Sequence, residues 1–174
     1  MKNYSALIFL FFLTLVMAGC DKDDEPTKQE RLMAKDWKVT AITASGEVNG
    51  IGVNNYDYYN NHLIECQKDN LFNFNSGGVV VVDEGATKCT PTAQQTSQGT
   101  WSLTENTTGD ILTVGGDILR SYGLINNASR DLKVVTQNDE TLQVTFQENV
   151  TLPIPGFPVP ITMPATINIT FTAQ

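Results

Sequence analysis

Apolar and polar residues alternate in short stretches through most of the chain beyond residue 37, a pattern typical of strands that bury one face. The alternation is clearest near the C-terminus. Two segments there each place three apolar side chains on a single face: Leu142, Val144 and Phe146 in 141–147, and Ile167, Ile169 and Phe171 in 166–171. Each segment is therefore predicted to be a strand with one buried and one exposed face.

Seven further segments are rich in β-branched or aromatic residues and are separated by Gly, Asn or Asp turn residues, which predicts strands joined by short turns. They are residues 37–44, 72–75, 79–84, 99–103, 110–114, 118–125 and 132–135. No helical pattern intervenes between them, so α/β folds with crossover helices are excluded. We predict an all-β fold, an antiparallel up-and-down barrel of about eight strands, with an open β-sandwich as the alternative.

One short helix is predicted ahead of the first strand. Thr27 and Glu30 have the spacing of a capping box, in which each side chain accepts a hydrogen bond from the other residue's backbone N–H. Residues 28–35 then fit a short helix that carries Leu32 and Met33.

The longest stretch without a strand pattern is residues 45–65, which we expect to form a loop with a helical turn near 59–65. Tyr56, Tyr58 and Tyr59 lie there among asparagines. This composition is typical of binding loops, because Tyr offers rigid contact area and Asn adaptable hydrogen bonds. The three tyrosines are candidate ligand or partner contacts; the alternative is that their rings pack over one end of the barrel.

A second unusual segment, residues 152–164, lies between the last two predicted strands. It is largely apolar and includes Phe157 as a candidate contact. Four closely spaced prolines remove backbone donors and argue against an interior sheet position: Pro153, Pro155, Pro158 and Pro160. The segment should either fold over the barrel mouth as a plug or project as an exposed apolar patch that contacts a partner.

The N-terminus has the pattern of an export signal. Lys2 precedes an uncharged apolar run at 6–18. This run is shorter than the roughly 20 residues of a membrane-spanning helix and fits a signal peptide. The following residues, Met17-Ala18-Gly19-Cys20, resemble the lipobox of bacterial lipoproteins. The resemblance implies that residues 1–19 are removed and that acyl chains on Cys20 anchor the protein in a membrane.

Residues 20–29 are polar and acidic, which predicts a flexible tether ahead of a domain that spans 30–174. Within the tether, Lys22, Asp23 and Asp24 resemble the signal that directs lipoproteins to the outer face of some Gram-negative outer membranes. We therefore expect an outer-membrane location with the domain facing the cell exterior.

The overall charge argues against one class of partner. The net charge of −8 becomes −9 when residues 1–19 are removed, because Lys2 leaves with them. Nucleic-acid binding depends on clustered Lys and Arg, which this acidic sequence lacks.

Two cysteines, Cys66 and Cys89, remain once Cys20 carries lipid. An exported chain meets an oxidising compartment, so this pair is predicted to form a disulfide. A metal site is the alternative, but the sequence has a single histidine, His62, and no Cys-x-x-Cys spacing. Neither a metal nor another cofactor is predicted.

Several motifs together resemble a known family. They are Leu32, Trp37, residues 66–75 (CQKDNLFNFN) with Gly78, Cys89, and residues 99–103 (GTWSL). The arrangement resembles the lipocalin-like domain of small surface lipoproteins from Gram-negative gut and marine bacteria, over roughly residues 30–174. The resemblance implies an up-and-down barrel behind a short helix, with Cys66 and Cys89 paired.

The bulk of the apolar residues favours a packed barrel interior over a ligand cavity. Six aromatic residues are predicted to point inward: Trp37, Phe72, Phe74, Trp101, Phe146 and Phe171. An eight-stranded barrel can also hold one small ligand. In that case, candidate ligand contacts are Trp37, Phe72, Phe74 and Trp101.

The sequence shows no recognisable grouping of nucleophile, base and metal ligands, so we expect a non-catalytic protein. Two functions then remain. The first is capture of a small apolar ligand inside the barrel. The second is binding of a protein or carbohydrate partner through the Tyr/Asn segment and the Pro-rich segment.

Overall fold

Antiparallel strands make up most of the part of the chain that the computed structural model describes, residues 25–116, 118–124, 129–154 and 156–174. The helices are α1 (Lys28–Met33), α2 (Tyr58–His62) and α3 (Glu65–Lys68). The strands are β1 (Trp37–Val48), β2 (Ile51–Asp57), β3 (Leu71–Asn75), β4 (Val79–Asp83), β5 (Thr96–Thr104), β6 (Ile111–Gly115), β7 (Ser129–Gln137), β8 (Thr141–Leu152) and β9 (Ile161–Ala173). Single 3-10 turns lie at Ser76–Gly78 and Arg120–Tyr122.

Eight of these strands close into an up-and-down barrel. From β3 to β9, each strand pairs with the next along the chain, and β9 pairs with β1 from Trp37↔Ala173 to Gly46↔Ala165. β1 in turn pairs with β3, which completes the ring. The predicted all-β barrel behind a short helix is confirmed, and the open sandwich is excluded.

The second edge of β1 is shared by two strands. Near the start of β1, Trp37 and Lys38 pair with Phe72 and Leu71 of β3. Further along, residues 43–48 pair with β2, the ninth strand, which adds to the barrel from outside the ring. β1 therefore closes the barrel at one end and carries a hairpin at the other.

The predicted loop is wrong over residues 45–57, because β1 continues to Val48 and is followed by β2, whereas the helical turn predicted near 59–65 is confirmed by α2 (Tyr58–His62). The turn between the two strands is Asn49-Gly50, with φ angles of 52° and 76°. Positive φ at both central residues is the geometry of a type I′ hairpin, for which Asn-Gly is the strongest sequence signal. The signal was present, but the many asparagines around it favoured the loop interpretation.

α1 lies at the end of the barrel where β1 begins, which we call the proximal end; the opposite end, at Val48, is the distal end. The predicted capping box is present, with Glu30 N–H donating to Thr27 Oγ1 at 3.2 Å and Thr27 N–H donating to Glu30 Oε2 at 2.7 Å. Leu32 is fully buried, and its carbonyl oxygen accepts a 2.9 Å hydrogen bond from the Trp37 indole N–H. These contacts fix the helix to the first residue of β1.

The strand predicted at 118–125 is wrong. Residues 118–124 instead fold into the barrel around a 3-10 turn, and we call this segment the inner plug. Gly116 and Gly123 have φ angles of 89° and 69°, which interrupt extended structure. The four buried side chains of the inner plug are at most 5% exposed: Ile118, Leu119, Tyr122 and Leu124.

The interior is packed, as the bulk of its residues predicts. All six aromatic residues expected to point inward are at most 7% exposed: Trp37, Phe72, Phe74, Trp101, Phe146 and Phe171. The space left between the inner plug and its neighbours Phe72, Phe74 and Phe171 is about 10 Å³. Pockets for small ligands usually measure about 300 Å³ or more.

The predicted disulfide is confirmed. It joins Cys66 of α3 to Cys89 in the connection between β4 and β5, with the two Cα atoms 5.1 Å apart. The bond therefore ties together two of the irregular connections between strands.

Replacing both cysteines with serine (C66S/C89S) should lower the free energy of unfolding by about 3 kcal/mol, because the bond closes a loop in the unfolded chain. The separation of the two cysteines is 23 residues. Urea unfolding of the variant and the parent measures the difference. A loss smaller than about 1 kcal/mol would show that this loop-closure account is wrong.

Gly99 on β5 is a point of close approach between the barrel wall and the inner plug. A Cβ atom there would lie 2.2 Å from Ile118 Cδ1 and 2.3 Å from the Gly115 carbonyl oxygen. Gly99→Ala should therefore lower the free energy of unfolding by about 1–3 kcal/mol through overpacking. Thermal unfolding alongside Ser102→Ala, an exposed position on the same strand, provides the comparison; equal stability of the two variants would contradict the seating of the plug.

Candidate functional site

An open cleft at the distal end lies between β2 and the loop that joins β8 to β9. Its volume is about 720 Å³, within the range of ligand-binding pockets. One wall comes from β2 and the other from the loop, and none of the lining residues is charged: Gly52, Val53, Asn54 and Tyr56 on the first, and Pro153, Ile154, Gly156 and Phe157 on the second. We call this site the distal cleft.

The distal cleft brings together the two segments that the sequence singles out for recognition. Tyr56 belongs to the Tyr/Asn segment and Phe157 to the Pro-rich segment, 101 positions apart along the chain. The Asn49-Gly50 hairpin turns β2 back along β1, and the β8–β9 hairpin extends to the same end of the barrel. Their meeting is a product of the fold.

The other candidate aromatic residues do not line the distal cleft. Tyr58 is 8% exposed and belongs to the core, while the Tyr59 ring lies 5.5 Å from the Lys68 amine. Trp101 is buried against Phe74, with 5.3 Å between their ring centroids. Trp37 and Phe72 are also in the core.

A small aromatic cluster holds Tyr56 in the wall of the cleft. The Tyr56 hydroxyl lies 3.2 Å from His62 Nε2, and the His62 ring stacks on Tyr58 at 4.3 Å between centroids. Behind them, Asp57 accepts a hydrogen bond from the Asn60 N–H at 3.0 Å and so caps α2. The hairpin and the first turn of α2 therefore position the tyrosine together.

The protonation states in this cluster follow from burial. Burial lowers the pKa of His62 below its ordinary value, and burial raises the pKa of Tyr56. At neutral pH the imidazole is therefore uncharged and the phenol keeps its proton. The two groups share a hydrogen bond without placing a charge in the cleft.

The Pro-rich segment is anchored at its base and exposed at its tip. Leu152 and Ile154 are buried, whereas Phe157 and Val159 are 43% and 63% exposed. The predicted excursion is shorter than 152–164, because β8 runs to Leu152 and β9 begins at Ile161. The tip of the segment therefore forms an exposed apolar patch, which is one of the two expected arrangements. The other arrangement, in which this segment plugs the barrel, is not adopted, because the inner plug occupies the barrel interior.

Pro164 lies inside β9 opposite Asn149, although prolines argued against an interior position for this segment. The last pair between β9 and β1 is Gly46↔Ala165. Pro164 therefore lies just beyond the part of β9 that pairs on both edges, where a missing backbone N–H is tolerated.

The two charged residues of the β2 hairpin are both acidic. Glu47 and Asp57 are exposed at the two ends of the β2 hairpin. Lys and Arg are absent from residues 39–67, and no charged residue follows Glu148. Glu148 itself forms an ion pair with Arg130. The result is a neutral cleft beside an acidic hairpin.

Cys20, Lys22, Asp23 and Asp24 lie outside the described residues. Across the described ranges, no group of three or more His, Cys, Asp or Glu side chains is arranged to hold a metal ion. The described helices include none that is long and apolar enough to cross a membrane.

Of the eight lining residues, Tyr56 and Phe157 were individually named as candidate contacts; the other six lie within the two segments 45–65 and 152–164. Gly52, Val53 and Asn54 lie in the segment predicted to be a loop, and Pro153, Ile154 and Gly156 surround the excursion's base. Comparison of the chain with known protein families, characterised proteins and solved structures finds no match to any of them.

Proposed function

We propose that this protein is a lipid-anchored lipoprotein of the outer membrane, facing the cell exterior, whose non-catalytic domain binds a partner at the distal cleft. The observation that carries the proposal is the juxtaposition of Tyr56 and Phe157 across an uncharged cleft of about 720 Å³. Each residue belongs to a segment whose composition is typical of recognition. Tyr56 lies in the wall of the cleft formed by β2, and Phe157 in the wall formed by the loop between β8 and β9.

The position of the cleft relative to the N-terminus supports this function. The described chain enters at Glu25, beside α1 at the proximal end, where Lys28 pairs with Asp110 at 2.6 Å. β1 then runs from Trp37 to Val48, on the order of 35 Å at about 3.3 Å per residue. With Cys20 acylated, the anchor and the cleft would lie at opposite ends of the barrel.

The length of the tether reinforces this arrangement. Four residues lie between Cys20 and Glu25, so the two residues are at most about 17 Å apart when the chain is extended. The proximal end would therefore stay close to the membrane, and the distal cleft would project away from it.

The chemistry of the walls suits a neutral partner. Tyr56 and Phe157 offer aromatic faces, and Asn54 offers an amide that can both donate and accept hydrogen bonds. Aromatic residues dominate binding energy where they form the centre of an interface. A carbohydrate or an uncharged part of a protein fits this set of groups.

Capture of a ligand inside the barrel receives less support. The inner plug and the core aromatic residues leave only about 10 Å³ between them. An apolar ligand would have to displace Ile118 and Leu119 from a packed core, and protein cores resist added volume. The distal cleft is therefore the better candidate site.

Lipid anchoring is tested by Cys20→Ala. The substitution removes the proposed acylation site, so the protein should leave the membrane fraction and accumulate either as soluble protein or with its signal peptide attached. Fractionation and mass spectrometry of the N-terminus measure both outcomes. A Cys20→Ala protein that is processed and still sediments with membranes would contradict lipid anchoring.

Partner binding at the cleft is tested by photo-crosslinking on living host cells. A photoreactive phenylalanine analogue at Phe157 should form a covalent adduct, because this ring would contact the partner. The same analogue at Val135, which is 59% exposed on β7, is the matched control and should form none.

Removing the facing ring with Tyr56→Ala should lower the yield of the Phe157 adduct by about tenfold or more, as expected for a central aromatic contact. Tyr56→Phe keeps the ring and should preserve most of the yield. Equal adduct formation from positions 157 and 135, or an adduct unaffected by Tyr56→Ala, would argue against the cleft as the binding site.

A further inference from the structure

The outer edge of β2 pairs with no strand among the described residues. β2 pairs with β1 along one edge only, through Val48↔Ile51, Glu47↔Gly52 and Gly46↔Val53. In a hairpin with a two-residue turn, the residues flanking the turn exchange backbone hydrogen bonds, and the pattern alternates from there. Ile51 and Val53 therefore bond to β1.

By the same alternation, the backbone N–H and C=O groups of Gly52 and Asn54 point away from β1. The regular pairing of β2 with β1 is interrupted after Asn54. Both residues are exposed, and both also line the distal cleft. The free edge and the cleft are therefore parts of one continuous surface.

Among the described residues, the protection of this edge consists of its shortness and of the irregularity that follows Asn54. Natural proteins block such edges with Lys, Pro, bulges or a covering element. β2 contains neither Lys nor Pro. Its one irregularity comes at the end of the exposed run, where Asn55 has a φ of 51° and donates its N–H to Ser45 Oγ at 2.8 Å.

We propose that the partner at the distal cleft is an extended segment of another polypeptide, which adds to β2 as a further strand. Its backbone would pair with Gly52 and Asn54, and one of its apolar side chains would enter the cleft between Tyr56 and Phe157. This inference rests on the proposed function and names the class of partner. Backbone pairing supplies affinity, and the pocket for an alternate side chain supplies selectivity.

The charges indicate which segment would fit. The lining of the cleft is uncharged and Glu47 lies exposed beside the turn of the hairpin, whereas nearby Lys68 offsets the charge of Asp57 at the other end. A neutral, alternating segment with a Lys or Arg beside it is complementary to this surface.

The same charges disfavour a second copy of this chain as the occupant. Two copies paired through β2 would bring Glu47 and Asp57 of each into proximity, on chains whose net charge is −9 once residues 1–19 are removed. The part of β2 between the turn and the irregularity, Ile51–Asn54, is also four residues long. Pairing two copies through so short a run would bury much less than the roughly 800 Å² per partner of a stable interface.

The experiment uses the full chain purified in detergent and a phage-displayed library of random 12-residue peptides as the probe. Selection on the parent protein, with removal of phage that bind Asn54→Pro, should enrich alternating apolar peptides with a basic residue. Asn54→Pro removes one outward N–H, whereas Asn54→Ala keeps it and is the matched control. The enriched peptides should bind Asn54→Pro at least about tenfold more weakly than Asn54→Ala, because both variants lack the side-chain amide and differ in the backbone N–H.

N-methylation of the enriched peptide provides a second measurement that does not depend on the folding of Asn54→Pro. In a series of peptides that each carry one N-methyl group, binding should weaken when the methyl group is at every second position, because only alternate N–H groups of the peptide face β2. Binding that is indifferent to N-methylation, or no enrichment on the parent protein, would overturn strand addition.

Two further outcomes separate this inference from the proposed function. A glycan from an array that binds the parent and Asn54→Pro equally, but not Phe157→Ser, would keep the distal cleft as the binding site and overturn strand addition. Light scattering could instead show that the parent protein is a dimer and that Asn54→Pro is a monomer. That result would overturn a different polypeptide as the partner and would identify a second copy of this chain as the occupant of the β2 edge.

Discussion

The pairing of β1 governs the rest of the structure. One edge of this strand pairs with β9 over nearly its whole length, and the other edge is divided between β3 at the proximal end and β2 at the distal end. Within the distal part of β1, Gly46 pairs with both Val53 of β2 and Ala165 of β9. A Cβ atom at Gly46 would lie 2.6 Å from the Pro164 carbonyl oxygen, so a larger residue would push β9 away from the hairpin.

This division gives the two ends of the barrel different properties. At the proximal end, α1 is held by its capping box and by the hydrogen bond from Trp37 to Leu32. At the distal end, the sheet continues beyond the ring as two hairpins, with the inner plug packed in the barrel they extend. Phe157 is 43% exposed at the tip of one hairpin, and Tyr56 in the other packs partly against the core while its remaining surface lines the distal cleft.

The barrel could be predicted from sequence largely because most of its strands bury one face, which imposes the alternation seen in β8 and β9. β2 escaped prediction because all seven of its residues are partly or fully exposed, so burial imposes no alternation of apolar and polar residues on it. The prediction for the inner plug failed for the opposite reason. Its apolar residues resemble those of a buried strand, and the interruption of extended structure is marked by Gly116 and Gly123. Tyr56 and Phe157 could each be selected from composition, but their meeting depends on the β1–β2 hairpin and the length of β8 and β9, which no local pattern encodes.

The central claim is that the distal cleft is occupied by a partner on the cell surface while the rest of the barrel wall is not. Hydroxyl-radical footprinting on intact host cells and on the purified protein tests it most directly. The account predicts that Tyr56 and Phe157 are oxidised several-fold more slowly on cells, whereas Val135 and Ile64, both exposed elsewhere, react equally in the two samples. Equal oxidation of Tyr56 and Phe157 on cells and in solution would contradict it.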